Sequence, residues 1–228
     1  MLQKKKKLSK KEIKEDKLVT FVNKSANFFD EYKNKVFTYG AVLVVAIAAV
    51  YFYINQKEED NLAAGTELSR VLPLYDQGSY LEAIEGRQGT NIIGLKRIVE
   101  EYGSTENGET AKIYLANAYT FLGNQEEAFK YYEDYSGNIE YLKAAALAGR
   151  AGYYALKGEY EKAADMYLSA AKISNLNAEN PNYLLNAGIY YLQTGNEDEA
   201  KTIFNEVKND YATSVAGREV SKYLAQIQ

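Results

Sequence analysis

The sequence predicts an all-α protein in which one membrane-spanning helix leads into a solenoid of stacked helix pairs. Three observations predict it. Residues 36–54, VFTYGAVLVVAIAAVYFYI, run without a single charge. Beyond them, a phrase of Tyr, Gly, Ala and a second aromatic recurs with a period near 35 residues, the spacing of stacked supersecondary units. The composition is helical: Ala, Leu, Glu, Lys and Tyr abound, and 228 residues hold only two prolines, too few for a loop-rich β fold.

The absent residue types narrow the chemistry. With no Cys, His or Trp, His/Cys zinc sites, histidine-based triads and structural disulfides are excluded. The charge is uneven. Residues 1–35 carry 11 Lys against 5 acidic residues, a net of +6, whereas residues 57–228 carry 16 Lys and Arg against 26 Asp and Glu, a net of −10. Such asymmetry points to different surroundings for the two ends.

Residues 1–35 form a basic cytoplasmic segment. Ile13, Leu18, Phe21, Val22, Phe28, Phe29, Tyr32 and Val36 recur at mostly helical intervals with lysines between them. This pattern predicts an amphipathic helix against the inner leaflet, where basic residues meet the anionic lipid of the bilayer. No base-stacking or groove-reading module accompanies the KKKKLSKK run, so it reads as lipid-facing and not as a nucleic-acid contact. Residues 36–56 form the span. Nineteen apolar residues reach roughly 28 Å as a helix, the thickness of a hydrocarbon core, and Phe37, Tyr39, Tyr51 and Tyr53 suit the two interfaces. The long stretch before the span makes it a retained signal anchor, not a cleaved signal peptide. Lysines precede it and KEED follows, so the positive-inside rule keeps the N-terminus cytoplasmic and sends residues 57–228 across the membrane.

In residues 57–228 the markers are Gly123, Gly158 and Gly195, 35 and 37 residues apart. Each has a Tyr four residues before it (Tyr119, Tyr154, Tyr191), an Ala five after (Ala128, Ala163, Ala200) and an aromatic nine after (Tyr132, Tyr167, Phe204). A weaker copy surrounds Gly78, with Leu74, Tyr80 and Ala83, followed by an insertion. Small residues let antiparallel helices approach, aromatics fill the space beside them, and Gly allows the left-handed conformation that closes a helix. One pair cannot bury its apolar side alone, so neighbours stack. Asn138 is expected to cap one helix, and ENP (179–181) places Asn180 at an N-cap and Pro181 at N1. Ala216, Val220, Tyr223, Leu224 and Ile227 form an amphipathic helix that closes the array.

These residues resemble the tetratricopeptide repeat. The second copy supplies Ala151, Tyr154, Gly158, Tyr160, Ala163, Tyr167 and Ala170; the first supplies Leu115, Ala116, Tyr119, Gly123, Ala128 and Tyr132; the third supplies Gly188, Tyr191, Gly195, Ala200 and Phe204. The family's early Trp falls on Lys112, Leu147 and Leu184, and its closing Pro on Glu140, Asn175 and Ala212. The resemblance implies binding on a concave face made by the first helix of each pair. By family position, that face carries Ile113, Asn117, Thr120 and Phe121, then Ala148, Gly152, Ala155 and Leu156, then Leu185, Ile189, Leu192 and Gln193. It holds no Lys or Arg, which argues against a clamp for a C-terminal carboxylate. An apolar peptide, an unfolded segment or a partner helix suits it, as does the protein's own tail or insertion.

No catalytic centre, cofactor or metal is expected. The acidic clusters EEDN (58–61), EE (100–101), EE (126–127) and NEDEA (196–200) fall at helix starts or on solvated faces. GTNIIG lacks the strand and the Lys-Ser/Thr of a phosphate loop, and NEDEAKTIFNE lacks calcium-loop spacing.

The full sequence also resembles a bacterial family, the ancillary (YfgM-like) subunit of the SecYEG translocon. FFDEYKNKVFTYGAVLVV has the form of that family's approach to its single span. The resemblance implies a non-enzymatic inner-membrane protein with a periplasmic repeat domain. It would work beside SecYEG with a membrane-anchored periplasmic prolyl-isomerase chaperone on unfolded secreted polypeptides. The other reading is an envelope scaffold for outer-membrane assembly, Tol-Pal or peptidoglycan machinery, whose helix–turn–helix cadence is similar.

Overall fold

Four helix pairs close on one and the same turn. At Gly78, Gly123, Gly158 and Gly195 the backbone takes φ of +77° to +81°, a region that only Gly enters freely. After each glycine, the next residue's N–H donates to the carbonyl five residues back: Ser79 to Leu74, Asn124 to Tyr119, Glu159 to Tyr154 and Asn196 to Tyr191, all at 2.9 Å. This is the Schellman closure of a helix C-terminus. The weak copy around Gly78 therefore shares the turn of the other three, although its second helix is only six residues long.

The computed structural model describes residues 10–227. Its ten described helices are α1 (Lys10–Asp76), α2 (Tyr80–Glu85), α3 (Leu95–Tyr102), α4 (Glu106–Phe121), α5 (Gln125–Asp134), α6 (Glu140–Leu156), α7 (Tyr160–Ala171), α8 (Asn180–Gln193), α9 (Glu197–Asp210) and α10 (Val215–Leu224). Among the described residues there is no strand, and the only bridge, Gly86 to Ile93, lies in the insertion before α3. The fold is the all-α solenoid that the repeat predicts.

The protein divides into two compact units, Met1–Gln56 and Lys57–Gln228. In the first, α1 carries the one stretch among the described residues that is long and apolar enough to cross a membrane. Val42, Leu43, Val44, Val45, Ile47 and Val50 are all exposed there, so the helix is apolar on every side, as a lipid-facing helix is. Residues 10–35 continue on the same helix, where the sequence predicts a separate amphipathic one. The basic run at 4–9 lies outside the described residues, as do the side chains of Ile13, Leu18 and Phe29.

In the second unit, buried residues form three successive clusters. Ala64, Leu68, Val71 and Leu74 of α1 meet Ala83 and Ile84 of α2, Leu95 and Ile98 of α3, and Ala111, Leu115 and Ala118 of α4. Ile113, Ala116, Ala128, Tyr132, Leu142 and Ala146 join α4, α5 and α6. Leu184, Leu185, Ile203, Phe204, Val207, Ala216, Val220 and Ile227 join α8, α9 and α10. Helix α10 packs on both α8 and α9 and so closes the array at its end.

Local signals explain several helix starts. Thr105 and Ser214 cap α4 and α10, their hydroxyls accepting from Gly108 and Gly217 N–H at 3.0 and 2.9 Å. Glu126 and Glu127 open α5, and Glu197, Asp198 and Glu199 open α9, where carboxylates favour the helix dipole. Two expected caps are displaced. Ile139, not Asn138, precedes α6. Glu179 precedes α8, which puts Asn180 at N1 and Pro181 at N2. Asn180 is buried, and its Nδ2 donates to Ser174 O at 2.7 Å. Its Oδ1, the atom that would cap, is buried without a partner, so the side chain does not cap α8.

Candidate partner-binding surface

The predicted concave face resolves into interior and surface residues. Ile113 and Leu185 are 3% and 8% exposed and belong to the core clusters, so they pack the helices together. Ile189 and Leu192 are half-buried against the C-terminal core. Asn117 accepts a hydrogen bond from the Tyr132 hydroxyl at 2.6 Å, and Thr120 lies 3.3 Å from the same hydroxyl; these polar groups tie α4 to α5. Ala148, Gly152 and Ala155 are half-buried along α6, and Gln193 is exposed. Phe121 and Leu156 stand out, 61% and 67% exposed.

Phe121 is the outermost ring of an aromatic cluster that the family mapping passes over. Tyr75 and Tyr80 flank the Gly78 turn, with ring centroids 5.5 Å apart, edge to face. Tyr114 packs edge-on against Tyr75 at 5.1 Å, and Phe121 stacks on Tyr80 at 4.6 Å with the planes 10° apart. Tyr114, Asn117 and Phe121 share a face of α4 because i, i+3 and i+7 align on a helix. The signal was present in sequence, since Tyr114 precedes Asn117 by one turn, but only the first hairpin brings Tyr75 and Tyr80 to it. Tyrosine and phenylalanine in this arrangement present a large, stiff contact area that loses little entropy on binding.

Burial sets the electrostatics of the tyrosines. It pushes Tyr75 up to about 12, with a hydrogen bond from Asn117 acting the other way. Tyr167 and Tyr183 are also pushed up to about 12, chiefly by burial. Tyr191 is raised by burial and by its hydrogen bond to Asp165. A folded pKa above the unfolded one means that the unfolded polypeptide releases its protons first as pH rises. The stability tied to Tyr75, Tyr167 and Tyr183 is therefore complete below pH 10 and is lost between pH 10 and about 12. Thermal melts across this range should fall steeply in midpoint, with tyrosinate absorbance rising at unfolding. Full ionisation near pH 10 with the fold intact would contradict this.

Among the described residues, no three His, Cys, Asp or Glu side chains are placed to hold a metal ion. Residues 183–214, spanning most of α8 and all of α9, match the family model for the tetratricopeptide repeat. No curated protein matches the sequence. Together, the match and the four Schellman-closed pairs make this a tetratricopeptide-repeat solenoid, an architecture that binds protein partners. It is joined to a helix able to cross a membrane.

Proposed function

We propose that the protein is a non-enzymatic accessory subunit of the Sec translocon. It is held in the bacterial inner membrane by residues 36–56, with residues 1–35 cytoplasmic and residues 57–228 periplasmic. The repeat domain binds a membrane-anchored prolyl-isomerase chaperone, emerging secreted polypeptides, or both. The observation that carries this reading is the exposed aromatic surface around Phe121 on a domain tethered through an apolar helix. Tethering raises the concentration of that surface near emerging polypeptides without any new contact. The net charge of +6 before the span and −10 after it supports the orientation.

The test is a mild-detergent pull-down of the full-length protein from its native membrane, with the wild type beside a Phe121→Glu, Leu156→Glu double variant. Both side chains are exposed, so the fold should survive. SecYEG subunits and a prolyl isomerase should co-purify with the wild type and fall about tenfold or more in the variant, the loss of roughly 1.4 kcal/mol. Equal recovery from both would remove the surface assignment. Recovery of Tol-Pal or outer-membrane assembly factors without translocon subunits would replace the translocon by the scaffold.

A further inference from the structure

A small cavity of about 190 Å³ is lined by none of the residues of the predicted concave face. It is lined by Tyr132 and Tyr135 at the end of α5, by Lys143, Ala146, Leu147 and Arg150 of α6, and by Ile173 beyond α7. The four α6 residues follow the i, i+3, i+4, i+7 spacing, so they form one stripe of that helix. Lys143 and Arg150 stand roughly 10 Å apart along its axis.

Arg150 is the anomaly. The sequence has five arginines, and the other four are satisfied. Arg70 pairs with Glu67, Arg87 with Glu82 and Arg97 with Glu101 at 2.5–2.7 Å, and Arg218 donates to Thr213 O at 2.6 Å. The Nε of Arg150 is sealed from solvent and has no hydrogen-bond partner, and among the described residues neither Arg150 nor Lys143 has a carboxylate within ion-pair distance. A buried donor without an acceptor costs on the order of 1–3 kcal/mol, more on a charged group. Residues 57–228 hold 26 acidic side chains, so the unmet charge does not come from a shortage of carboxylates.

We infer that this cavity is a binding site for a carboxylate presented by a polypeptide, with Arg150 as its primary partner. A carboxylate that enters displaces the groups sealing Nε, and Nε–H with a terminal N–H then forms a planar fork that matches its two oxygens. The cavity is below the usual size for a whole small-molecule ligand and suits one residue. Tyr132, Tyr135, Leu147 and Ile173 form walls of low polarity that strengthen the pair. Lys143 supplies a second cation for a neighbouring acceptor on the same segment. The carboxylate comes either from an Asp or Glu side group or from the C-terminus of a polypeptide. The site shares no residue with the Phe121 surface, so either can fail without the other.

Arginine Nε–H resonances of the full-length protein in detergent test this, because five arginines give few signals and Arg150→Gln identifies the relevant one. Three probes are titrated: N-acetyl-Gly-Glu-Gly amide, N-acetyl-triglycine with a free carboxylate, and N-acetyl-triglycine amide. Inorganic phosphate is the fourth arm. At least one carboxylate peptide should shift the Arg150 signal saturably while the neutral peptide does not, and whichever saturates first identifies the source. Lys143→Gln should weaken the response several-fold. In Arg150→Gln, the backbone amides of Ala146 and Leu147 should no longer report saturation. No saturable shift with either carboxylate, saturation retained in Arg150→Gln, or tighter binding of phosphate than of both carboxylates would each overturn the inference.

Discussion

Phe204→Ala is expected to destabilise the repeat domain by about 3–5 kcal/mol, the range for emptying a buried aromatic site. Phe204 is fully buried on α9, between α8 and α10. Its ring lies so close to α8 that a Cβ at Gly188 would come within 2.3 Å of it, and Tyr223 of α10 stacks on it at 5.5 Å. One side chain therefore clamps the last pair to the helix that closes the array, and truncation leaves a void that three helices cannot all collapse into. Gly188→Ala attacks the same contact from the other side. Its methyl meets a ring with no room to yield, a cost of about 1–3 kcal/mol against a gain in helix propensity of up to about 1 kcal/mol. Because the two sites touch, Gly188→Ala combined with Phe204→Leu should cost less than the sum of the single changes. Urea unfolding in detergent of the full-length wild type, Phe204→Ala, Gly188→Ala, Phe204→Leu and the Gly188→Ala, Phe204→Leu double variant reads these differences. A loss below about 1 kcal/mol for Phe204→Ala would show that the clamp is not there.

Lys112→Ala is expected to cost a similar amount, about 3–5 kcal/mol, by leaving a carboxylate uncompensated in the interior. Lys112 and Glu109 side chains are 8% and 9% exposed, and their charged atoms lie 2.9 Å apart. Lys112 also reaches Asp134, at 3.2 Å to its carbonyl and 2.8 Å to its carboxylate. Glu109 accepts from Ser136 N at 2.9 Å and from its hydroxyl at 2.8 Å. The cluster fixes the end of α5 and the following turn against α4. Burial alone would lower the Lys112 pKa, but the hydrogen bonds and attraction of Asp134 and Glu109 outweigh it and hold it above its ordinary value. This contribution is thus complete below the unfolded lysine pKa of about 10.4 and is lost as the pH climbs through the raised folded value. Unfolding at neutral pH should show the deficit of Lys112→Ala, and the gap to wild type should narrow at strongly alkaline pH. An unchanged gap would mean that the loss is packing and not charge. Apolar replacement of Lys112 with Glu109→Leu should recover much of the loss, since hydrophobic substitution of a whole buried pair is often neutral.

Much of the fold was legible in sequence because its cause is local. A Gly at the turn between the two helices of each pair, a Tyr four before it and an Ala five after it are backbone and spacing requirements, and they recur at Gly123, Gly158 and Gly195 wherever the helices lie. Even the weak copy at Gly78 proved regular, since the turn needs only the glycine and its flanking carbonyls. Caps were less legible. Asn180 has the right residue type beside Pro181, but α8 begins at Asn180 itself, and the side chain turns back to donate to Ser174 in the preceding turn.

The binding surface was read by family position, and there the sequence misleads in a particular way. Ile113, Leu185 and Phe121 look alike as apolar residues on first helices, yet two are interior and one is 61% exposed. Exposure depends on what the neighbouring helices bring to each position, and no local pattern encodes it. The unpaired Arg150 is the sharpest case: its sequence neighbours carry no sign that the acidic side chains of the described residues would all lie elsewhere.

What the sequence by itself determined was the helical class, the apolar stretch fit to cross a membrane, and the repeat with its glycine turns. Each follows from periodicity, side-chain type or backbone freedom within a few residues. Tertiary structure alone decided which apolar residues are core and which are surface, that Tyr75, Tyr80, Tyr114 and Phe121 meet, and that the Arg150 Nε is left without a partner. Those outcomes are set by the packing of helices far apart in sequence, where volume and charge must be satisfied together.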